Sequence, residues 1–436
     1  MKKNIMVLLV FAISTIFSGC FQQQGSNVLR WSFWGSEARI RNYQLSNDIF
    51  AERTGIIIAG EPAPGTGQHF DKFRTQFAGG FAADIVQLGG YFSNLGFSDD
   101  GRNVVGTMGY GGLEDLLLPL DSYVRSGHLD ISNVDKAAID AGTRNGILYA
   151  IPVATNMPAL VYNKSLLERV GAPLPEVGMT WNEFDTWLRQ VQEKLPRGIF
   201  AMTDNGATVT GSVFFSFWCA DNGTPVWDGS KTNLTASIVR DYFDLWAGWR
   251  ASGLIPPAAI GADFAETNEA TSSLIAGRTA VTYIWSNQLS GYQNATTDTL
   301  DLIMLPNAVV SNCLWGQMSQ MMAVNKNTRN PQAAAQFISY RINDPGVWEI
   351  MGADPGVPVT PAARNAILAD ATPVTEKVVA YLNVAGSHSS PANPNMPNDT
   401  EWNAGLHLIY QNAAYGRINS GQAGQQVMDL IARLTR

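Results

Sequence analysis

Cysteine and histidine, which often hold metals in proteins, are scarce in this sequence. Its 436 residues include three cysteines and four histidines, and the histidines show no close spacing of metal ligands. We therefore expect no metal site and no cofactor. Apart from Cys20, the cysteines are Cys219 and Cys313, which form either one disulfide in an oxidising compartment or two buried free thiols.

Positive charge is also in deficit, with 29 Lys and Arg against 37 Asp and Glu and a formal net charge of −8. Nucleic-acid backbones attract basic surfaces, so this balance argues against a nucleic-acid partner. Familiar catalytic motifs are missing too, since neither a G-x-S-x-G elbow nor a G-x-x-x-x-G-K-[ST] phosphate loop occurs. Carboxylate pairs such as Asp99–Asp100 are adjacent, and adjacent side chains on a strand point to opposite faces. We therefore expect a protein that is not an enzyme.

Long hydrophobic runs are absent beyond Phe17, and the chain before that point is distinct. Two lysines precede an apolar stretch that ends in small residues, a pattern that predicts a secretory signal peptide over residues 1–19. The stretch resembles the lipobox of bacterial lipoproteins, which implies that Cys20 is lipidated. Residues 20–26 are polar and suit a tether. The alternative is an ordinary signal peptide with a chance cysteine.

The rest of the chain, roughly 410 residues, is long for one small core and suggests two domains. Strand and helix patterns alternate in it, which is typical of parallel strands covered by helices. Ligands of such folds bind beyond the carboxyl ends of the strands. Strands are predicted at 28–34, 56–58, 83–88, 148–152, 159–162, 280–285 and 318–324, and helices at 39–54, 70–77, 163–170, 180–194 and 331–342.

Six segments occur in a characteristic order along the chain: FAGGFAADI (77–85), GILYAIP (146–152), YNK (162–164), TWNEF (180–184), LIAGRTAV (274–281) and PQAAAQFI (331–338). In this order they resemble extracellular solute-binding protein family 1, which serves sugar ABC importers. The most specific pair is the tyrosine–asparagine–lysine segment and the tryptophan segment after it. The resemblance extends over nearly the whole chain after the tether.

The resemblance implies an α/β fold of two Rossmann-like lobes joined by hinge crossovers, the type II periplasmic-binding-protein fold, with the ligand in the cleft between the lobes. Crossovers would fall near 152–156, near 305–306 and after 342. Each lobe is then discontinuous in sequence: lobe 1 comprises 27–153 and 305–342, and lobe 2 comprises 154–304 and 343–436.

The resemblance also implies a function: a monomer outside the cytoplasm, anchored to the membrane by its lipid, that binds a carbohydrate and delivers it to the permease subunits of an ABC importer. The 12 tryptophans favour a sugar, because sugar C–H faces pack on aromatic rings. Two alternatives remain open. The same fold could bind a polyamine, a peptide or an ion, or the chain could be a lipid-anchored secreted glycoside hydrolase, whose two carboxylates across a cleft cannot be recognised from sequence spacing.

Ligand-binding candidates follow from strand ends and from the resemblance. In the first lobe, Trp34, Ser36 and Glu37 follow the first strand, Gln87 and Tyr91 end and follow the third, and Asn156 lies in the first crossover. In the second lobe, Trp285 and Asn287 follow a strand and resemble a sugar-stacking turn. The other candidates are Trp315 and Gln317 near the second crossover, Trp402 after the Pro/Asn-rich loop, and Thr210 with Ser212.

Thr210 and Ser212 mark a departure from the family. Counting back from the ADNG segment (220–223) places them where maltose-binding protein carries an acidic residue and a tyrosine. The smaller side chains argue against a maltose-like ligand.

Overall fold

The computed structural model describes residues 27–89, 115–206, 211–266, 268–390, 393 and 396–435. The predicted signal peptide, Cys20 and its tether lie outside the described residues, as do Tyr91 and Thr210.

Strands and helices alternate through most of the described chain. The strands are β1 (Val28–Trp34), β2 (Ile57–Ala63), β3 (Ile85–Leu88), β4 (Thr143–Arg144), β5 (Ile147–Leu148), β6 (Ala150–Asn156), β7 (Pro158–Asn163), β8 (Phe200–Met202), β9 (Thr279–Trp285), β10 (Leu300–Ile303), β11 (Gln317–Val324) and β12 (Val357–Pro358). The helices are α1 (Glu37–Thr54), α2 (Thr66–Ala78), α3 (Asp121–Arg125), α4 (Lys136–Ala141), α5 (Lys164–Val170), α6 (Trp181–Lys194), α7 (Gly211–Asp221), α8 (Ala236–Ala251), α9 (Ala258–Gly261), α10 (Leu289–Asn294), α11 (Ala308–Ser311), α12 (Pro331–Asn343), α13 (Pro345–Met351), α14 (Pro361–Ala369), α15 (Pro373–Gly386), α16 (Asp399–Ala414) and α17 (Ser420–Leu434).

Helix ends follow local chemistry that is readable in the sequence. The Ser36 hydroxyl accepts a hydrogen bond from the Arg39 N–H at 3.3 Å and caps α1. That helix ends at Gly55, whose φ of 71° is left-handed and therefore favours glycine. At the start of α6, Thr180 and Glu183 exchange side-chain-to-backbone hydrogen bonds of 2.8 and 3.3 Å. This is the capping box that a threonine three residues before a glutamate predicts.

The first sheet contains six strands in the order β12-β6-β11-β3-β1-β2. β1 is parallel to β2 and β3, whereas β11 is antiparallel to both β3 and β6. Trp31 of β1 packs on Tyr43 of α1 and Phe337 of α12, with ring centroids 4.7 and 5.4 Å away. The β–α–β–α–β order predicted for the start of the chain is confirmed.

The second sheet has the order β10-β7-β9-β8, in which β8 is parallel to β9 and β7 is antiparallel to both β9 and β10. Its helices bury large aromatic side chains, among them Trp187 of α6 and Trp246 and Trp249 of α8. Phe214 of α7 meets Trp246 edge to face, with ring centroids 5.4 Å apart. Two sheets, each covered by helices, confirm the predicted α/β class.

Two segments pack differently from the predicted lobes. β12 pairs with β6, and Trp348 of α13 is buried in the first core, so α13 to α14 pack with the first sheet. Leu305 and Leu314 are buried in the second core. From this packing we propose a second crossover between 314 and 317 and a third after α14; the predicted bounds near 305–306 and after 342 stay a prediction. An apolar helix face fits either sheet, so the sequence pattern did not determine which sheet receives these segments.

Both remaining cysteines are free thiols, which decides between the two alternatives left by the sequence. Cys219 is fully buried in α7, and burial raises the pKa of its thiol well above the ordinary value. Burial also raises the pKa of the Cys313 thiol to about 11. Neither is therefore a reactive thiolate at neutral pH.

Candidate ligand-binding cleft

One edge of the first sheet gathers several of the predicted residues. Trp34 ends β1 opposite Ala63, the last residue of β2. Gln317 begins the antiparallel strand β11 opposite Asn156, the last residue of β6. The carboxyl ends of parallel strands lie at the same edge of a sheet as the amino end of an antiparallel strand between them. Trp34, Asn156 and Gln317 therefore all lie at this edge of the first sheet.

The facing edge belongs to the second sheet. β9 ends at Trp285, which pairs with Pro158, the first residue of β7. Met157 alone separates β6 from β7, so the two sheet edges face each other across this residue. Trp285 and Trp315 are half-buried and pack against the second core. The sheet edges on either side of Met157 therefore both carry tryptophan, as expected at the rims of a ligand cleft.

Trp34 is held by three neighbours at its rim. Its ring centroid lies 5.0 Å from that of His69 and 5.9 Å from that of Phe70. A methyl group on Gly89 would lie 3.3 Å from Cη2 of Trp34, so this backbone allows the indole to approach closely. The position of the ring is thus determined by packing before any ligand arrives.

His69 supports this arrangement as a neutral imidazole. Burial lowers its pKa to about 4, although a hydrogen bond to the Gln87 carbonyl opposes that shift. The Nε2 atom lies 2.8 Å from this carbonyl oxygen and therefore carries the proton of the neutral ring. At pH 7 the ring adds no charge to the rim.

A hydrogen-bonded bridge crosses between the two sheets beside Met157. Asn156 Nδ2 donates to Asn287 Oδ1 at 2.8 Å, and Asn287 Nδ2 donates to the carbonyl oxygen of Asp354 at 3.1 Å. Asp354 precedes β12 and forms an ion pair with Arg39 of α1 at 2.6 Å. Burial alone would lower the pKa of Arg39, but the attraction of Asp354 outweighs it and raises that pKa above its ordinary value.

Arg39 and Asp354 were missed by the sequence reasoning. They are 315 positions apart, and no local pattern connects them. Asp354 follows α13 closely, and α13 packs on α1, where Asn42 Nδ2 donates to the Ile350 carbonyl oxygen at 3.1 Å.

A second group missed from the sequence fixes the turn after β8. The carboxylate of Asp204 is 1% exposed and accepts hydrogen bonds from Arg250 of α8 at 2.5 Å and from the Tyr410 hydroxyl of α16 at 3.0 Å. Burial raises the pKa of Tyr410 well above its ordinary value. Asn205 Oδ1 accepts the Tyr283 N–H at 3.1 Å, which ties the turn to β9. The turn therefore stays beside the strand that ends in Trp285.

Other candidates are buried, cap a helix or lie on the surface. Gln87 is fully buried, and Trp402 is 3% exposed with its ring 6.1 Å from that of Phe215 in the second core. The contact with ligand that we predicted for these two stays a prediction. Ser36 caps α1, and the Glu37 side chain is 96% exposed and pairs with Arg41 along the helix.

Ser212 is half-buried in the first turn of α7, which follows the turn after β8. Nothing in its described surroundings tests whether it reaches a ligand.

No group of three or more His, Cys, Asp or Glu side chains in the described ranges is arranged to hold a metal ion. Within the same ranges no helix combines the length and the apolar character needed to cross a membrane.

Comparison with known proteins gives a consistent result. The family model for bacterial extracellular solute-binding proteins matches residues 47–378. A family 1 solute-binding protein from Alicyclobacillus acidocaldarius has a similar structure, with 23% identity, a TM-score of 0.68, and coverage of 94% of this chain and 98% of the other.

Two further solved structures share the fold over nearly their full length. A periplasmic oligogalacturonide-binding protein from Yersinia enterocolitica, in complex with digalacturonic acid, has 22% identity and a TM-score of 0.76, covering 94% of this chain and 100% of that one. An ABC substrate-binding protein from Listeria monocytogenes, in complex with cycloalternan, has 17% identity and a TM-score of 0.74, covering 93% and 98%. The periplasmic-binding fold predicted from the sequence is confirmed.

Proposed function

This chain belongs to the bacterial extracellular solute-binding proteins, and we propose that it binds a carbohydrate, in the form of an oligosaccharide, and delivers it to an ABC importer. It acts as a receptor and carries out no chemical step on its ligand. Family membership places it outside the cytoplasm. The structural relatives that hold digalacturonic acid and cycloalternan support an oligosaccharide as the class of ligand.

The observation that carries this proposal is the pair of tryptophans on facing sheet edges. Trp34 ends a strand of the first sheet and Trp285 ends a strand of the second, on either side of Met157. Aromatic faces suit the C–H surfaces of sugar rings. The amide of Gln317 beside them suits hydroxyl groups, as does Oδ1 of Asn156, for which the described residues supply no hydrogen-bond partner. A ligand between the rims would contact both lobes.

Contact with both lobes also explains how an importer could detect the ligand. A ligand that touches both rims favours the closed form by its differential affinity for that form. We assign residues 27–156, 317–343 and α13 to α14 to lobe 1, with the crossovers at Met157, at residues 315–316 and after α14 as the hinge.

Calorimetry against a panel of neutral and acidic oligosaccharides tests the proposal. Binding of one sugar class at micromolar affinity is the expected result. Binding of a polyamine or peptide with no response to any sugar would assign a different solute to the same fold. Release of shortened products from a polysaccharide would instead reveal a hydrolase.

Trp285→Ala and Trp34→Ala test the site itself. Each should weaken sugar binding by about tenfold or more, because each removes a stacking surface. Trp227→Ala is the matched control, since Trp227 is also half-buried against the second core but follows the far end of α7. Unchanged affinity in both rim variants, or an equal loss in the control, would contradict the assignment.

A further inference from the structure

Asn287 was expected to touch the ligand, but both halves of its amide are engaged by protein. Its Oδ1 accepts from Asn156 Nδ2 at 2.8 Å, and its Nδ2 donates to the Asp354 carbonyl at 3.1 Å. The side chain is 8% exposed, and that of Asn156 is 4% exposed. These two hydrogen bonds use one acceptor site and one donor of the amide, and burial restricts the access of a ligand to the rest.

Its two partners lie on the other side of the crossover. Asn287 belongs to the turn after β9 in the second sheet, whereas Asn156 ends β6 and Asp354 precedes β12 in the first sheet. Asp354 is itself fixed by Arg39, whose guanidinium donates to both its carboxylate and its carbonyl oxygen, at 2.6 and 2.9 Å. The amide of Asn287 therefore joins the second lobe to a rigid part of the first.

The same turn holds Trp285. Ser286 makes two hydrogen bonds with Met157: its N–H donates to the Met157 carbonyl oxygen at 3.0 Å, and its hydroxyl oxygen accepts from the Met157 N–H at 3.2 Å. The Trp285 N–H donates to Gln288 Oε1 at 2.8 Å, which closes the turn. Trp285, the crossover and the segment around Asp354 are thus connected through three consecutive residues.

We infer that Asn287 is a positioning residue: it couples the orientation of Trp285 to the angle between the lobes and does not itself contact the ligand. The coupling to ligand rests on the proposed function, but the control of the interlobe angle does not. Loss of the bridge should release the turn from the first lobe and widen the range of angles that the free protein samples.

The test measures the interlobe distance in the absence of ligand. Nitroxide labels at Leu45→Cys on α1 and Leu408→Cys on α16, both more than half exposed, report the distance by electron–electron double resonance. Cys20→Ser and Cys313→Ser prevent stray labelling, and Cys219 is fully buried. Asn287→Ala should broaden the distance distribution relative to the parent protein.

Asn325→Ala is the matched control. Asn325 is 6% exposed and also makes one donated and one accepted hydrogen bond, to the Ala82 carbonyl and from the Asn327 N–H, both within the first lobe. It should lower the melting temperature without changing the interlobe distribution. Asn287→Ser, whose hydroxyl is too short to reach both partners, provides a second variant should the alanine fail to fold.

A distribution in both Asn287 variants as narrow as in the parent, or equal broadening in Asn325→Ala, would overturn the inference. For a sugar identified by calorimetry, Asn287→Ala should weaken binding by about five- to tenfold, the effect of one or two lost hydrogen bonds. The weaker binding should result mainly from a faster dissociation rate. Failure of every sugar to bind would count against the proposed function, while the ligand-free distances would still decide the role of Asn287.

Discussion

At the scale of single residues, the cleft is held by groups whose chemistry burial has altered. His69 is the clearest case, because it lies behind Trp34 and is uncharged at a pH where a histidine in solution is partly protonated. Because the imidazole of His69 is neutral, the indole ring of Trp34 packs against it without removing a charge from water. The position of Trp34 is therefore linked to the protonation of a residue that need not touch ligand.

Stability should depend on pH through His69. Its pKa falls from 6.5 to about 4 on folding, so between these values the unfolded chain binds more protons than the folded one. The free energy of unfolding should therefore fall as pH drops from about 6.5 to 4, and His69 should contribute about 2 kcal/mol of that loss at pH 4.5.

Urea unfolding at pH 7 and pH 4.5 measures the effect. His69→Gln keeps a side chain that can donate to the Gln87 carbonyl but does not titrate, so the difference between the two pH values should shrink in this variant. If the free energy of unfolding depends equally on pH in both proteins, groups other than His69 cause the dependence.

At the scale of elements, the cleft depends on helices that are remote from it in sequence. α16 supplies Tyr410 to the turn after β8, and α8 supplies Arg250. The turn over residues 203–206 therefore contacts two helices, α8 and α16. Loops at strand ends are common binding elements when a rigid scaffold positions them in this way.

Gly206 tests this dependence. A methyl group there would lie 2.2 Å from the ring and hydroxyl of Tyr410, so Gly206→Ala forces the turn and α16 apart. We expect a loss of about 1–3 kcal/mol of unfolding free energy, typical of overpacking. Chemical denaturation checks the value.

Gly248→Ala is the matched substitution with the opposite expected sign. Gly248 lies on the exposed side of α8, with no atom within 4 Å of an added methyl group. Alanine is favoured over glycine in a helix interior by up to about 1 kcal/mol, so this variant should be more stable. A destabilised Gly248→Ala with an unaffected Gly206→Ala would contradict the argument.

At the scale of the whole molecule, two lobes and a tether serve one task. We propose that the two lobes enclose the ligand and that a lipid on Cys20 keeps the receptor near its permease. Tethering raises the effective concentration at the membrane without any new contact. In this arrangement ligand binding and membrane anchoring are independent, so loss of the lipid should leave the affinity for ligand unchanged.

Cys20→Ser tests that separation. The variant should move from the membrane to the soluble fraction, because it cannot carry the lipid, while calorimetry should give the affinity of the parent protein. Metabolic labelling with a fatty acid should mark the parent and not the variant. A variant that stays with the membrane, or a parent that takes up no label, would contradict the lipoprotein assignment.

The sequence by itself determined what depends on neighbours along the chain. Alternating strands and helices, the Thr180–Glu183 capping box and the α/β class all follow from local periodicity and side-chain-to-backbone bonding, and they are confirmed. Strand ends also carry positional information, so Trp34, Trp285 and Gln317 could be placed near sheet edges in advance, whereas Asn156 was assigned to the first crossover from the family resemblance.

Tertiary structure alone decided which distant segments meet. The sheet on which α13 and α14 pack, the Arg39–Asp354 pair and the Asp204–Arg250–Tyr410 group depend on contacts across dozens to hundreds of residues. Burial decided the rest: it placed Gln87 and Trp402 in cores and engaged both ends of the Asn287 amide. A sequence pattern does not distinguish one apolar helix face from another, or one side-chain amide from another. Only the folded geometry determines which partner each of them contacts.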